Sequence, residues 1–205
     1  MQLQLTTLII LQLTKNLNLI DKLVTETNLY AEQSIQQPIS AHSRMKNWVP
    51  TDRSEMRAFI GVMMAMGLLK KPTIESYWNK GDTSFLLYST SFSQVFSRNR
   101  FQNILRFLHC NDNTQAAPRG SPEYDPGYKI RPVFDILNNT FDRKYNLGRD
   151  LTIDESMVGF KGRTNLVQYM PGKKSHRWGA KLFVLAESDT GYTSQVKLYA
   201  GKDHV

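Results

Sequence analysis

Two adjacent carboxylates and two nearby cations make residues 150–163 the segment best equipped for chemistry. Asp154 and Glu155 follow the β-like run 151–153, and Lys161 and Arg163 come shortly afterwards on either side of a glycine. A carboxylate at the end of a strand, facing a cationic loop, could hold a divalent metal against a phosphate. Because side chains alternate along a strand, a continued strand would send Asp154 and Glu155 to opposite faces. We therefore do not expect these two carboxylates to share one metal.

Cations continue from this segment to residue 181, in a window that contains no Asp or Glu. Tyr169, His176 and Trp178 are interleaved with them. Cations suit phosphates and aromatic rings suit stacking, so the window predicts contact with nucleic acid. A solubilising loop, with Trp178 in the core, is the alternative interpretation. The predicted nucleic-acid-binding residues are Lys161, Arg163, Lys173, Lys174, Arg177 and Lys181.

The chain as a whole is also basic. Its 205 residues include 26 Lys and Arg against 18 Asp and Glu, a formal net charge of +8. That balance favours a polyanionic partner, nucleic acid first and an anionic membrane surface second. The apolar start of the chain is interrupted by polar residues well before the length that a bilayer-spanning helix needs. We therefore predict no membrane partner.

Cysteine usage and motif content exclude several classes of protein. The single cysteine, Cys110, excludes an internal disulfide framework and a multi-cysteine zinc site. A lone thiol fits a reducing compartment, the cytosol or the nucleus. The sequence contains no P-loop, no dinucleotide fingerprint and no Gly-x-Ser-x-Gly elbow. No organic cofactor is therefore predicted.

Helical periodicity precedes the carboxylates. Polar, Pro-containing segments over 32–50 and 111–127 predict loops. Apolar residues at helical spacing predict helices over 17–31, 52–71, 98–109 and 132–148. The face of the second helix that is predicted to be core consists of Met56, Phe59, Ile60, Met63, Met64 and Gly67.

Capping residues mark two of these helices. Asp52 with Glu55 three residues later resembles a capping box, and Ser97 is the expected N-cap of the third helix. The arginines of that third helix could touch phosphates, although a solvated face is the favoured interpretation. These arginines are Arg98, Arg100 and Arg106.

Beyond Gly148 the apolar period changes from 3.6 to 2. Strands are predicted over 151–153, 181–187 and 192–199, with the turn residues 188–191 joining the last two as a hairpin. The unbroken apolar run 182–186 is typical of a strand buried on both faces. The predicted fold class is therefore α+β, an all-helical region followed by antiparallel strands.

Short motifs spread along most of the chain form an ordered pattern: Val24–Ala31, Trp48, Phe59–Gly61, Met66–Gly67, Tyr77–Trp78, Asn99–Phe101, Leu108–His109, Lys129–Pro132, Thr152–Glu155, Phe160–Arg163, Gln168–Pro171, Lys174, Trp178–Gly179 and Thr190–Tyr192. Each motif alone is weak, whereas the combination is highly specific. The pattern resembles the piggyBac-type DNA transposases and their domesticated derivatives, and it covers roughly residues 20–202.

The resemblance implies a domain organisation and a set of partners. It implies an N-terminal helical segment and linker over 1–46, a helical dimerisation and DNA-binding region over 47–148, and an incomplete ribonuclease H-like catalytic domain over 149–205. It also implies double-stranded DNA as a partner, a homodimer as the assembly and the nucleus as the location.

The resemblance also assigns Asp154 a catalytic role. Asp154 matches the first of the family's three catalytic aspartates, which hold two magnesium ions for strand cleavage and joining. The second and third aspartates, an insertion domain and a cysteine-rich zinc-binding domain are expected beyond Val205. The similarity to a DNA transposase therefore leaves enzymatic activity of this chain open, because one carboxylate cannot place two metals.

Several functions remain open at this point. The first is a DNA-binding fragment of a transposase, inactive in cut-and-paste transposition by itself. The second is a domesticated DNA-binding or dimerisation protein without catalysis. A third interpretation is a fragment that does not fold stably, because the strand from Tyr192 would expose an unpaired edge. An enzyme completed in trans by another polypeptide is the least favoured.

Overall fold

The computed structural model describes residues 16–38, 40, 42–79, 91–172 and 177–201. They form two compact units, a helical unit and a sheet unit, which divide between Cys110 and Asn111. The start of the chain, residues 1–15, lies outside the described residues, as do Lys173 and Lys174. Among the described helices, none combines the length and apolar content that a bilayer-spanning segment needs. The functional boundaries at 46/47 and 148/149 stay predictions.

In its described residues, the helical unit consists of three α-helices and short 3-10 segments. Asp52 accepts a hydrogen bond from the Glu55 N–H at 2.8 Å, and Ser97 accepts one from the Arg100 N–H at 3.2 Å. Both predicted N-caps are thus confirmed. The helices are α1 (Leu17–Ile35), α2 (Arg53–Leu68) and α3 (Arg98–Phe107), and the 3-10 segments are Arg44–Asn47, Glu75–Trp78 and Phe92–Gln94.

Aromatic rings form much of the core of the helical unit. Phe59 of α2 and Phe101 of α3 lie with their ring centroids 5.1 Å apart, and Phe107 meets Trp48 edge-on at 5.0 Å. Contacts of this kind add to the large apolar area that each ring removes from water. The largest fully buried side chains are Phe59, Phe101, Phe107, Leu19, Ile20, Met56, Ile104 and Thr27.

The predicted core face of α2 is only partly right. Met56 and Phe59 are fully buried, but Met63 is 41% exposed although it lies at nearly the same angle around the helix. Val62, which lies outside the predicted face, is buried instead. Burial depends on how far along the helix its packing partners reach, and angular position alone does not supply that information. The helices also differ in length from the prediction, since α1 continues to Ile35.

Where the structure describes it, the sheet unit combines one α-helix with a four-stranded antiparallel sheet. Strand β3 lies at the centre, β1 pairs with it along one side, and β2 and β4 pair with it along the other. The α+β class is thereby confirmed, while the ribonuclease H-like assignment stays a prediction. The elements are α4 (Arg131–Lys144), β1 (Leu151–Gly159), β2 (Val167–Tyr169), β3 (Trp178–Glu187) and β4 (Thr193–Leu198).

The sheet departs from the prediction in three respects. Strand β1 runs six residues beyond the predicted end at Ile153, because β3 offers pairing partners as far as Gly159. Strand β2 was not predicted, since three residues are too few to show a period. The apolar run 182–186 is half-buried rather than fully buried, which means that the described residues do not cover both faces of β3.

A side chain of α4 covers the outer edge of β4. The Asn138 amide donates to the Val196 carbonyl oxygen at 2.9 Å and accepts from the Val196 N–H at 2.8 Å. The amide therefore pairs with both backbone groups of Val196, as a neighbouring strand would. The predicted exposed edge at the strand from Tyr192 is blocked at this point.

Candidate nucleic-acid interface

Asp154 lies in the middle of β1, opposite Val184 of β3. The residue is exposed, and one carboxylate oxygen accepts a hydrogen bond from the Glu155 N–H at 2.7 Å. Because β1 continues beyond it, alternation places Asp154 on the same face as Thr152 and Ser156. Asp154 is thus an accessible carboxylate on an exposed strand.

Glu155 turns to the opposite face, where its carboxylate forms an ion pair with Lys181 of β3. The Lys181 ammonium also lies 4.8 Å from the ring centroid of Phe183 and 5.1 Å from that of Tyr199. The Lys181 side chain is only 18% exposed. Its charge is therefore balanced within the sheet, and its contact with nucleic acid stays a prediction.

The described acidic side chains of the sheet unit do not converge on a common point. Within the described part of the chain, no three His, Cys, Asp or Glu side chains lie close enough to hold a metal ion. Glu155 is directed to the face opposite Asp154, and Glu187 is engaged elsewhere. The residues present do not fit the magnesium pair that the family resemblance implies, so no chemical step through a metal follows from this geometry.

Glu187 has a structural role that the sequence did not reveal. Its carboxylate accepts hydrogen bonds from the Tyr145 hydroxyl at 2.7 Å, from the Gly148 N–H at 2.5 Å and from the Thr190 hydroxyl. The bonds from Thr190, Tyr145 and Gly148 lower the pKa of Glu187, and the bond to the carboxylate raises the pKa of Tyr145. An acid before a turn is visible in the sequence, but partners about forty positions away carry no local signal.

Three cations of the predicted window are exposed at one end of the sheet. Lys161 and Arg163 lie in the loop between β1 and β2, and Arg177 immediately precedes β3. The pairing of Gly159 with Gly179 brings the end of β1 beside the start of β3. Among the ion pairs of the described residues, none involves these three cations. The structure thus brings together three of the six predicted residues.

Two aromatic residues lie at this same end of the sheet. Tyr169 of β2 pairs across the strands with Trp178 of β3, and their ring centroids are 4.8 Å apart. Tyr169 is 49% exposed and Trp178 is 57% exposed. The alternative that Trp178 belongs to the core is therefore wrong.

The arginines of α3 divide into two kinds. Arg98 and Arg106 are exposed, as predicted, but Arg100 is not part of a solvated face. Its Nε and Nη2 donate to the two oxygens of Glu55 at 2.6 and 2.5 Å. Burial raises the pKa of Glu55, while Arg100 lowers it, and the net result lies below the usual value. Glu55 therefore pairs with Arg100, and the capping box is made only by the Asp52 side.

Known proteins share this sequence over most of its length. A family model described as "Transposase IS4" matches residues 11–204. Human PiggyBac transposable element-derived protein 5 is 28% identical over 141 residues, which cover 69% of this chain and 24% of that protein. Human PiggyBac transposable element-derived protein 3 is 27% identical over 150 residues, which cover 73% of this chain and 24% of that protein. The chain thus spans about a quarter of the length of these curated relatives.

A solved structure also matches. The cryo-EM structure of a piggyBac transposase synaptic complex with hairpin DNA is similar with a TM-score of 0.75 and 25% sequence identity. The match covers 96% of this chain and 39% of the solved chain. With the family model, the curated relatives and the structural match in agreement, the chain belongs to the piggyBac-type transposase family.

Proposed function

We propose that this chain is a DNA-binding segment of a piggyBac-type transposase and that it binds double-stranded DNA. The observation that carries the proposal is the group of exposed cations at one end of the sheet, Lys161, Arg163 and Arg177, in a window without acids. Three cations in a stretch of sequence without acids attract the phosphate backbone and not a particular base sequence. The similar transposase structure is a complex with hairpin DNA, which supports DNA as the partner.

The salt dependence of duplex binding tests this proposal. The affinity of the chain for a labelled duplex is measured by fluorescence anisotropy over a salt series. Each phosphate contact contributes about 0.9 to the slope of log K against log salt concentration, so replacing Lys161, Arg163 and Arg177 by alanine should reduce the slope by about 2.7. The reduction should be the same for duplexes of different sequence.

A second triple variant controls for net charge. Arg119, Arg143 and Lys144 are exposed cations of the same unit outside the window. Their replacement by alanine removes the same charge and should leave most of the slope in place. Equal slopes for the two triple variants would show that binding depends on net charge and that the window is not a site. A wild-type affinity that does not fall as salt rises would contradict the proposal altogether.

Catalysis by the chain alone is not part of this proposal. We assign Asp154 as the family's first catalytic aspartate and magnesium as the metal of a complete site, but the described carboxylates do not supply a complete site. Incubated with supercoiled plasmid and magnesium, the chain should therefore leave the plasmid intact. Nicking that is lost in Asp154→Ala would show that the chain is catalytically competent.

A domesticated protein without catalysis is the second candidate function. Both human relatives carry names that describe them as derived from a transposable element, which favours this alternative. We place the chain in the nucleus under either function, and we propose a homodimer as its assembly. Light scattering coupled to size exclusion measures the mass directly. A monomer at concentrations that saturate DNA would contradict the dimer and leave DNA binding unaffected.

A further inference from the structure

Tyr169 and Trp178 form an exposed pair of rings whose backbone is held in place on both sides. The two residues face each other across β2 and β3. Just beyond them the Met170 N–H donates to the Arg177 carbonyl oxygen at 2.8 Å. On the other side of β3 the Phe160 N–H donates to the Trp178 carbonyl oxygen at 3.2 Å. The rings are therefore presented by paired backbone, which fixes their position before any ligand arrives.

The exposure of the pair leaves both rings accessible to a ligand. Aromatic side chains normally remove a large apolar area from water, and two adjacent exposed rings offer flat apolar faces on which a ligand can stack. Gly179, next to Trp178, brings the β1 backbone close, since a Cβ there would lie 2.1 Å from the Val158 carbonyl oxygen. The rings thus stand at the edge of a tightly packed stretch of backbone and not in a loose loop.

The surrounding charge indicates the chemistry of the ligand. Arg177 adjoins Trp178, and Lys161 and Arg163 lie at the same end of the sheet. From Ser156 to Ala186 the sequence has no acidic residue. An apolar protein partner would not require this concentration of positive charge, whereas a ligand that carries both phosphates and flat rings would. Nucleic acid has this combination.

We propose that the Tyr169–Trp178 pair is a stacking site for an unpaired base of DNA, an inference that rests on the proposed DNA-binding function. The faces of paired bases are covered by their neighbours within a duplex, so the ligand is a single-stranded segment or a frayed end. Side chains alternate along β3, so Trp178 lies on the same face as Val184, which pairs with Asp154. The ring pair is therefore on the face of the sheet that carries Asp154. Trp178 lies six positions along β3 from Val184, which is opposite Asp154, and this corresponds to about 20 Å. The stacking site is thus separate from the carboxylate.

The test compares single-stranded and duplex DNA on the full chain. Wild type, Trp178→Ala, Tyr169→Ala and Trp178→Phe are titrated with a labelled oligothymidine and with a blunt duplex of equal length. Stacking on one aromatic side chain corresponds to roughly a 5- to 150-fold change in affinity. Each alanine variant should therefore lose about that factor for oligothymidine and less than about twofold for the duplex. Trp178→Phe keeps a ring and should stay within about threefold of wild type for both ligands.

Tryptophan fluorescence provides an independent readout. Wild type should be quenched by oligothymidine, and Trp178→Phe should bind without that quenching, because the remaining Trp48 and Trp78 contact other rings of the helical unit. Circular dichroism confirms that each variant is folded.

Three results would overturn the inference: no binding of oligothymidine by wild type, unchanged affinity in both alanine variants, or an equal loss for single strand and duplex. If the wild type shows no salt-dependent binding to the duplex, that result would instead contradict the proposed function.

Discussion

Replacing Arg100 by alanine should destabilise the helical unit more than replacing any other cation of α3 by alanine. Arg100 makes two bonds to the Glu55 carboxylate, a third from Nη1 to the Val49 carbonyl oxygen at 2.8 Å, and lies 4.7 Å from the ring centroid of Trp48. The side chains of Arg100 and Glu55 are 20% and 26% exposed. The pair is thus intermediate between a surface ion pair and a buried one.

The magnitude follows from these contacts. Surface ion pairs are worth about 0–1 kcal/mol and breaking a buried one costs about 3–5 kcal/mol, so we take roughly 2 kcal/mol for this pair. The bond to the Val49 carbonyl adds about 1 kcal/mol and the stacking on Trp48 adds about 0.5 kcal/mol. Arg100→Ala should therefore lower the free energy of unfolding by about 3.5 kcal/mol, and the melting temperature by more than about 10 °C.

Arg98 provides the matched control. It is an exposed arginine in the first turn of the same helix, where a positive charge is slightly unfavourable. Arg98→Ala should change the free energy of unfolding by less than about 0.5 kcal/mol. Urea unfolding followed by circular dichroism measures both variants, and equal effects of the two would refute the reasoning.

A double-mutant cycle with Glu55→Gln isolates the ion pair from the other contacts of Arg100. The pKa of Glu55 lies below its usual value, so the pair stabilises the fold above the ordinary carboxyl range and loses this contribution as pH falls through the folded pKa. The coupling energy should thus be about 1–2 kcal/mol at neutral pH and decline in acid. A coupling energy that does not change with pH would show that charge is not its source.

Three further predictions concern the sheet unit. Glu187→Gln should lower the urea midpoint at neutral pH, and the difference from wild type should shrink as pH falls through the lowered pKa of Glu187; a constant difference would contradict this account. Gly179→Ala places a Cβ against the β1 backbone and should cost at least about 2 kcal/mol in urea unfolding, whereas Gly172→Ala, with open space around it, should cost much less. Asn138→Ala removes both hydrogen bonds to the β4 edge and should cost about 1–2 kcal/mol and increase light scattering on storage, an effect that the exposed neighbour substitution Asn139→Ala should not share.

Features that depend on neighbouring residues in the chain could be predicted from the sequence. The caps at Asp52 and Ser97 were correct because an N-cap needs only a side-chain oxygen and an N–H three residues later. The separation of Asp154 from Glu155 was also correct, because alternation is a property of any strand. These rules operate over a few residues and hold whatever the tertiary structure is.

Features that depend on distant partners could not be predicted. Nothing near Arg100 in the sequence indicates that its guanidinium will pair with Glu55, 45 positions earlier. In the same way, the six cations of the window look equivalent until the pairing of β1 with β3 brings Lys181 to Glu155. The exposure of Trp178 also depends on which residues cover that end of the sheet, and composition contains no such information.

The hydrogen bonds of Glu187 have a consequence for how the sheet unit moves. Residues 145–150 connect α4 to β1, and a connection of this length would ordinarily serve as a hinge. Glu187 holds it at Tyr145 and Gly148, and the Ser188 N–H holds it at the Asp150 carbonyl oxygen at 2.9 Å. With three points fixed, we expect α4 and the strand that carries Asp154 to move as one body and the Gly148 amide to exchange slowly with solvent deuterium. A displacement of the helix would then also change the position of the Asp154 carboxylate.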